Sequence, residues 1–229
     1  MSFGEFAVLQ DISLSVGAGE IVGVLGPNGA GKTTYMNILT GALRPTTGTV
    51  HLLGEDVTKL DTAQRCHRGL AQTHQIPKPF SGMTVFENVL VAVNHGRSAP
   101  AHDPISVAWT VLEDTGLAHV ANRPAETLGL LDRKRLELSR ALGTNPKVLL
   151  LDEIGGGLTD AEGDALVDLI RSIHASGVTI VWVEHIMRLL LEGCSRLVCM
   201  AEGEVLADGD PHTVVNSQQV QVAYFGASA

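Results

Sequence analysis

Gly26-Pro27-Asn28-Gly29-Ala30-Gly31-Lys32-Thr33 fits the pattern G-x-x-x-x-G-K-[ST] at every specified position. The apolar run Ile21-Val22-Gly23-Val24-Leu25 leads into it as a buried strand does, and Thr34 to Thr40 reads as a short helix closed by Gly41. Strand, glycine-rich turn and helix start are the context this motif requires, and a chance glycine-rich turn rarely satisfies both. Glycines let backbone wrap closely around oxygens, so the amides of residues 29 to 33 converge on a β-phosphate at a helix N-terminus. The binding segment is therefore Gly26, Pro27, Asn28, Gly29, Ala30, Gly31, Lys32, Thr33 and Thr34. Within it Lys32 spans the β- and γ-phosphates and the Thr33 hydroxyl holds Mg²⁺.

Composition bounds the rest. At 229 residues and 45% hydrophobic, with mean hydropathy +0.18, the chain can bury one large core, or a core with a smaller lobe. No uninterrupted apolar stretch approaches the roughly 18 residues that span a bilayer, and no basic-apolar signal opens the chain. The expectation is a cytoplasmic protein whose membrane role comes through partners. A net charge of −9 and a pI near 5.4 argue against nucleic acid as a ligand. Cys66, Cys194 and Cys199 have no metal-type spacing and read as ordinary buried thiols in a reducing compartment.

Further β-branched apolar runs occur at Val148–Leu151, Val178–Val183 and Leu197–Met200, and helical patterns separate several of them. That alternation predicts a mostly parallel sheet with crossover helices. Thr159 and Glu162 form a capping box, Ala165, Leu166, Leu169, Ile170 and Ile173 line one helical face, and Gly177 stops that helix. Asp210-Pro211 reads as another helix start. Residues from about Thr84 to Leu142 are rich in helical patterns (Val85–Val93, Ile105–Leu117, Arg133–Leu142), with a loop at His95–Pro100. They read as a helical lobe inserted between two halves of a nucleotide-binding core.

Val148-Leu149-Leu150-Leu151-Asp152-Glu153 is an apolar strand ending in two carboxylates. Both acids then sit at the C-terminal edge of a parallel sheet, where ligands bind in such folds. Asp152 is placed to hold Mg²⁺ through water, and Glu153 to polarise the water that attacks the γ-phosphate. Two acids after a strand are by themselves an ordinary solvated loop; the phosphate loop upstream reverses that reading. The run Val178–Val183 leads into Glu184-His185, where a histidine can reach a γ-phosphate, although taken alone it reads as a structural residue.

Together these segments resemble the ATP-binding subunit of an ABC transporter over essentially the whole chain. The resemblance implies ATP and Mg²⁺ as ligands. It implies a single domain over 1–229 with a P-loop NTPase core, a mostly parallel sheet, an antiparallel β portion and a helical subdomain inserted at about 84–142. It makes Gln75 (in Thr73-His74-Gln75) a Mg²⁺ ligand that reports nucleotide state to a membrane subunit through Ile76 to Phe80. Leu158-Thr159-Asp160 becomes the D-loop, His185 the switch histidine, and Phe3 the aromatic that stacks on adenine. The catalytic set is then Glu153, His185 and Gln75, and the metal set Thr33, Gln75 and Asp152. Within the family the likeness runs to importers of branched-chain amino acids and related small polar solutes. The segments that carry it are Ile76-Pro77-Lys78-Pro79-Phe80, Met83–Val89, Arg135–Leu142 and Gly203–Gly209.

The family signature L-S-G-G-Q departs here to Leu128-Gly129-Leu130-Leu131-Asp132, in a register fixed by Arg135–Leu142. The serine hydroxyl is gone, Leu131 intrudes where phosphate oxygens should meet backbone, and Asp132 adds like charge. Loss of one charge-assisted hydrogen bond costs roughly 1.5–3 kcal/mol. Subunits of this family pair head to tail, so the expected partner is a second ABC ATPase: either a paralogue that supplies a consensus signature to this chain's ATP, or a subunit with which the altered signature is tolerated and both sites are fully active. Transmembrane permease subunits and, indirectly, a solute-binding protein complete the expected assembly, at the cytoplasmic face of the inner membrane. Two further departures are the early position of Phe3, which cuts short the strand before it, and Ile154-Gly155-Gly156-Gly157, which predicts a mobile turn after the catalytic acid. The alternative function is a soluble ABC ATPase of a DNA or ribosome machine. Such proteins tend to carry two cassettes or long coiled coils, which do not fit in 229 residues.

Overall fold

Ile21–Leu25 are five consecutive buried residues, with no solvent face to alternate against, as expected of a strand inside a parallel sheet. The computed structural model describes residues 1–4, 6–96 and 103–225, and of Phe3 and Phe225 only the backbone. Two short antiparallel pairs, β1 (Ser2–Phe3) with β2 (Phe6–Ala7) and β4 (His51–Leu52) with β5 (Glu55–Asp56), flank the main sheet. That sheet contains β3 (Ile21–Leu25), β6 (Leu70–Gln72), β7 (Val148–Asp152), β8 (Thr179–Val183), β9 (Arg196–Ala201) and β10 (Glu204–Gly209). Their order is β10-β9-β3-β8-β7-β6. All neighbours run parallel except β10, which pairs antiparallel with β9. The helices are α1 (Lys32–Thr40), α2 (Thr62–His67), α3 (Val85–His95), α4 (Pro104–Asp114), α5 (Leu130–Gly143), α6 (Asp160–Ala175), α7 (Met187–Gly193), α8 (Pro211–Val215) and α9 (Gln218–Phe225).

Strand alternation divides the core in two. Leu149, Leu151, Ile180 and Trp182 point to one face, where Leu166, Val167 and Ile170 of α6 cover them. Leu150, Val181, Val183, Val22 and Val24 point to the other, against Tyr35 and Met36 of α1. A third cluster lies apart from the sheet: Val85, Val89 and Val93 of α3, Ala108 and Leu112 of α4, and Leu136 of α5. Helix α5 also sends Leu138 and Ala141 into the first core, so it bridges the helical layer and the sheet.

Local signals explain where the helices begin and end. Thr159 with Glu162 and Thr84 with Glu87 make reciprocal capping boxes at α6 and α3. Asp210 accepts from Thr213 N and Pro211 occupies the first turn of α8. Helix α1 starts at Lys32, two residues earlier than the sequence pattern suggests, because the glycine turn at Gly31 runs directly into it. Its C-terminal carbonyls are taken up by a buried guanidinium: Arg65 donates to Ile38 O at 2.6 Å and Leu39 O at 2.7 Å. His95 closes α3 rather than opening a loop; residues 97–100 of the expected loop lie outside the described residues. Of the cysteines, Cys199 is buried, but Cys66 and Cys194 are only partly so, and all three are free thiols.

Candidate active site

The glycine loop leaves β3 at the C-terminal edge of the sheet, where β7 and β8 also end. Gly31 lies in the left-handed region (φ 93°), and a Cβ there would come within 2.5 Å of Leu9 Cδ2. Ala30 is buried beneath the loop, while Asn28, Gly29 and Thr33 are exposed and Pro27 and Thr34 are half-buried along the crevice. Lys32 folds its buried stem back into the loop, and its Nζ donates to Gly26 O at 2.5 Å and Pro27 O at 3.1 Å. Burial pulls this amine below the usual lysine range, against the opposing pull of the Glu153 and Asp152 carboxylates. Two carbonyls thus hold an ammonium that phosphate oxygens can bind in their place.

Strand pairing assembles the remainder. The β7–β8 register sets Asp152 beside Val183, and Glu153 N donates to Val183 O at 2.8 Å. That register brings Glu153 next to the residues that follow β8. On the other side, Thr73 N donates to Leu150 O at 2.9 Å and Asp152 N to Thr73 Oγ1 at 3.3 Å, which carries Gln75 to the end of β7. Gln75 Nε2 donates to Glu153 Oε2 at 2.7 Å, and His185 Nδ1 lies 3.6 Å from the same oxygen. Gln75, Glu153 and His185 therefore converge on one carboxylate oxygen. With Gly26, Pro27, Asn28 and Tyr224 they line an open crevice of about 560 Å³, within the range of small-ligand sites.

Asp152 is pushed above the usual carboxylate range, first by burial, then by Glu153; His74 and Lys32 pull the other way and Glu184 adds to the rise. An acid so crowded is suited to a cation. The donors available are the Thr33 hydroxyl, the Gln75 amide and the Asp152 carboxylate, all of which can present oxygen, as Mg²⁺ prefers. Among the described residues no group of three His, Cys, Asp or Glu side chains is arranged to hold a metal. The set fits an ion that takes its other ligands from water and substrate phosphates.

Other expected residues lie elsewhere. Gly129 precedes α5 without a side-chain cap, Leu130 is exposed, and Asp132 stands 3.9 Å from Arg135 Nη1. This signature segment, with Leu131, is not part of the crevice within one chain. Leu130 lies against Gly157, where a Cβ would meet its Cδ2 at 3.2 Å. Leu158 is half-buried, Thr159 caps α6, and Asp160 is held by Arg188 Nη2 at 3.3 Å through its carbonyl. The backbone of Phe3 sits in β1; its side chain lies outside the described residues. The turn after Glu153 is pinned, not loose: Gly155 N donates to Glu184 Oε1 at 2.6 Å and Ile154 is fully buried.

Sequence reasoning missed two residues here. Glu184 is fully buried behind His185, and Tyr224 of α9 reaches the crevice with its hydroxyl 3.4 Å from His185 O. Burial, with Cys199, Glu153 and Glu184 nearby, pushes the Tyr224 phenol up. The charge of Glu184 at a strand end was the one available signal; nothing in the sequence pointed to Tyr224.

The profile of the ABC transporter family matches residues 9–155. The chain is 36% identical over 242 residues to the high-affinity branched-chain amino acid transport ATP-binding protein LivG of Escherichia coli, covering 99% of this chain and 94% of that protein. It is 32% identical over 225 residues to the lipopolysaccharide export system ATP-binding protein LptB of Haemophilus influenzae, covering 98% and 93%. A solved structure of an ATP-binding cassette of an ABC transporter in its ADP conformation superposes with a TM-score of 0.90 at 30% identity, covering 99% of this chain and 96% of that one.

Proposed function

We propose that this chain, which belongs to the ABC transporter family, energises an importer of branched-chain amino acids or related small polar solutes. Its chemistry is ATP hydrolysis coupled to transport. One observation carries the assignment of residues: Gln75 and His185 flank the same Glu153 oxygen at the mouth of the phosphate loop.

In this reading Lys32 exchanges its bonds to Gly26 O and Pro27 O for β- and γ-phosphate oxygens. Thr33, Gln75 and Asp152 hold Mg²⁺, which neutralises charge on the phosphates when bound. Glu153 accepts a proton from the attacking water as its oxygen bonds to the γ-phosphorus and the bond to ADP breaks. Gln75 and His185 fix the orientation of that carboxylate, and a base so placed contributes roughly 10²- to 10⁴-fold.

The helical layer over about 84–142 is a subdomain that carries the signature helix. A permease subunit docks on the segment from Ile76 to Met83, a reading supported by the exposed side chains of Ile76, Phe80 and Met83. Arg140 of α5 holds that segment, donating to Lys78 O at 2.7 Å and lying 4.5 Å over the Phe80 ring. Gly129, Leu130, Leu131 and Asp132 face a partner ATPase in a head-to-tail pair at the inner membrane. Leu131 and Asp132 make them a weaker phosphate clamp, so the partner is a paralogue with a consensus signature. A solute-binding protein delivers the cargo.

The identity to LivG supports the amino-acid reading. The comparable match to LptB supports a second one, an ATPase that drives lipopolysaccharide export. Reconstitution into vesicles with candidate permease subunits and a solute-binding protein tests both. ATP-dependent uptake of labelled leucine into vesicles is expected. Failure to move any small solute, with lipopolysaccharide release instead, would overturn the importer reading.

A further inference from the structure

Glu184 is fully buried, yet it sits between two exposed functional segments. Its Oε1 accepts from Gly155 N at 2.6 Å, in the turn that links Glu153 to Leu158-Thr159-Asp160. Its Oε2 accepts from His185 N at 3.0 Å and Ile186 N at 3.4 Å, and lies 3.4 Å from His185 Nδ1. One carboxylate therefore spans the turn after the catalytic acid and the histidine segment. Gly155 is part of the device, because a Cβ there would come within 2.7 Å of Glu184 Oε1 and would collide with Leu189 as well. Lys134 of α5, also buried, carries an opposite charge that interacts with it. Its amine is pulled down by burial and up by Glu184. The helix that begins with the altered signature is thereby linked electrostatically to the same acid.

We propose that Glu184 is a positioning residue that fixes His185 and the 155–160 turn as one rigid unit. It is not itself among the residues that line the crevice and meets that lining only through His185. A shift of His185 towards or away from a γ-phosphate is then passed through the carboxylate to Gly155, and so to Leu158–Asp160, the segment that faces the partner subunit. The inference rests on the roles given above to Glu153 and His185.

Glu184→Gln separates positioning from folding. The carboxamide has one acceptor oxygen, so it satisfies Gly155 or the His185–Ile186 pair, not both. Turnover in the transporter is expected to fall roughly ten- to a hundredfold, the worth of one charge-assisted hydrogen bond. The Kd for Mg·ATP should stay within about threefold, since no phosphate-loop donor is altered. Amide exchange should accelerate at residues 154–160 and 185–187 and not elsewhere. Glu184→Asp keeps the charge beside Lys134 but is one methylene shorter and cannot reach both sides, so it should remain impaired. Full activity in Glu184→Asp would reduce the residue to a counter-ion for Lys134 and overturn the proposal. Normal turnover in Glu184→Gln, or parallel loss of ATP binding and turnover, would overturn it equally. If Glu153→Gln and His185→Ala also turn over normally, the site assignment fails first; if they are inactive and Glu184→Gln is normal, this inference alone fails.

Discussion

Glu153→Gln is the sharpest test of the site, because the substitution changes charge and basicity while leaving nearly every structural contact in place. The amide is isosteric, and its oxygen can still accept from Gln75 Nε2, which now stands 2.7 Å from Glu153 Oε2. The backbone bond from residue 153 to Val183 O, 2.8 Å, is independent of the side chain. Gln suffers the same left-handed backbone cost as Glu at φ 44°, so that term cancels between wild type and variant. Folding stability should therefore change little, and the relief of Asp152 from its nearest like charge acts in the stabilising direction. Turnover should not survive. Removal of a general base costs about 10²- to 10⁴-fold, which is about 2.7–5.4 kcal/mol at 1.36 kcal/mol per decade. ATP affinity should hold or improve, since Lys32 and the loop amides are untouched and one negative charge has left the crevice. The assay is phosphate release from the reconstituted transporter at saturating Mg·ATP, with nucleotide Kd measured on the same preparation. A variant that keeps more than about a tenth of wild-type turnover would refute the assignment of Glu153 as the base. A loss of turnover matched by a loss of ATP binding would refute the claim that the two functions are separable at this residue.

Three further outcomes follow from the same geometry. Asp152 is raised in the fold, so its ionised form destabilises the nucleotide-free protein above the folded pKa, and the penalty vanishes below the unfolded value of about 3.9. Asp152→Asn should thus raise the Tm of the nucleotide-free chain at neutral pH, with the gain shrinking as pH falls towards 4, and should abolish the Mg²⁺-dependent part of stabilisation by ATP. Arg65→Ala removes the buried guanidinium that caps α1 through Ile38 O and Leu39 O. It should cost about 3–5 kcal/mol, lowering Tm by roughly 6–20 °C in thermal unfolding of a chain this size. Tyr224→Phe deletes a hydroxyl 3.4 Å from His185 O and keeps the ring; turnover should drop by a few-fold with KM unchanged, and a rise in KM alone would place Tyr224 on the nucleotide instead.

The parts of the molecule that could be read from sequence are those whose cause is local. The phosphate loop, the acidic end of β7 and the capping box of α6 each lie within a few contiguous residues, so motif and periodicity carry them. The parallel order of the sheet follows from buried strands separated by helices, and β10 is the exception because the two-residue turn at Glu202-Gly203 returns the chain directly beside β9. What escaped was tertiary. Arg65 looks like any surface arginine of a short helix until α1 ends above it. Glu184 looks like a solvated acid at a strand end until Gly155 folds onto it. Tyr224 lies on a C-terminal helix with no motif at all. The run of glycines at 155–157 suggested mobility for the same reason: the carboxylate that pins it comes from another strand.

The backbone itself marks Glu153. Among the described residues five non-glycine residues have positive φ: Asp11, Leu53, Asn145, Glu153 and Glu202. Leu53 and Glu202 each precede a glycine of positive φ in a two-residue hairpin turn, where both central residues must take that conformation. Asp11 and Asn145 belong to the types that tolerate the left-handed region. Turn chemistry accounts for four of the five and leaves Glu153, whose conformation costs about 1–3 kcal/mol. The surroundings that enforce it are identifiable: parallel pairing fixes residue 153 to Val183 O, and two residues later Glu184 clamps Gly155. If strand β7 continued regularly past Asp152, the Glu153 side chain would alternate away from the phosphate loop rather than meet Gln75 and His185. The strain is therefore the structural consequence of turning a strand residue into the crevice, and the same clamps that sustain it are the ones that align the carboxylate.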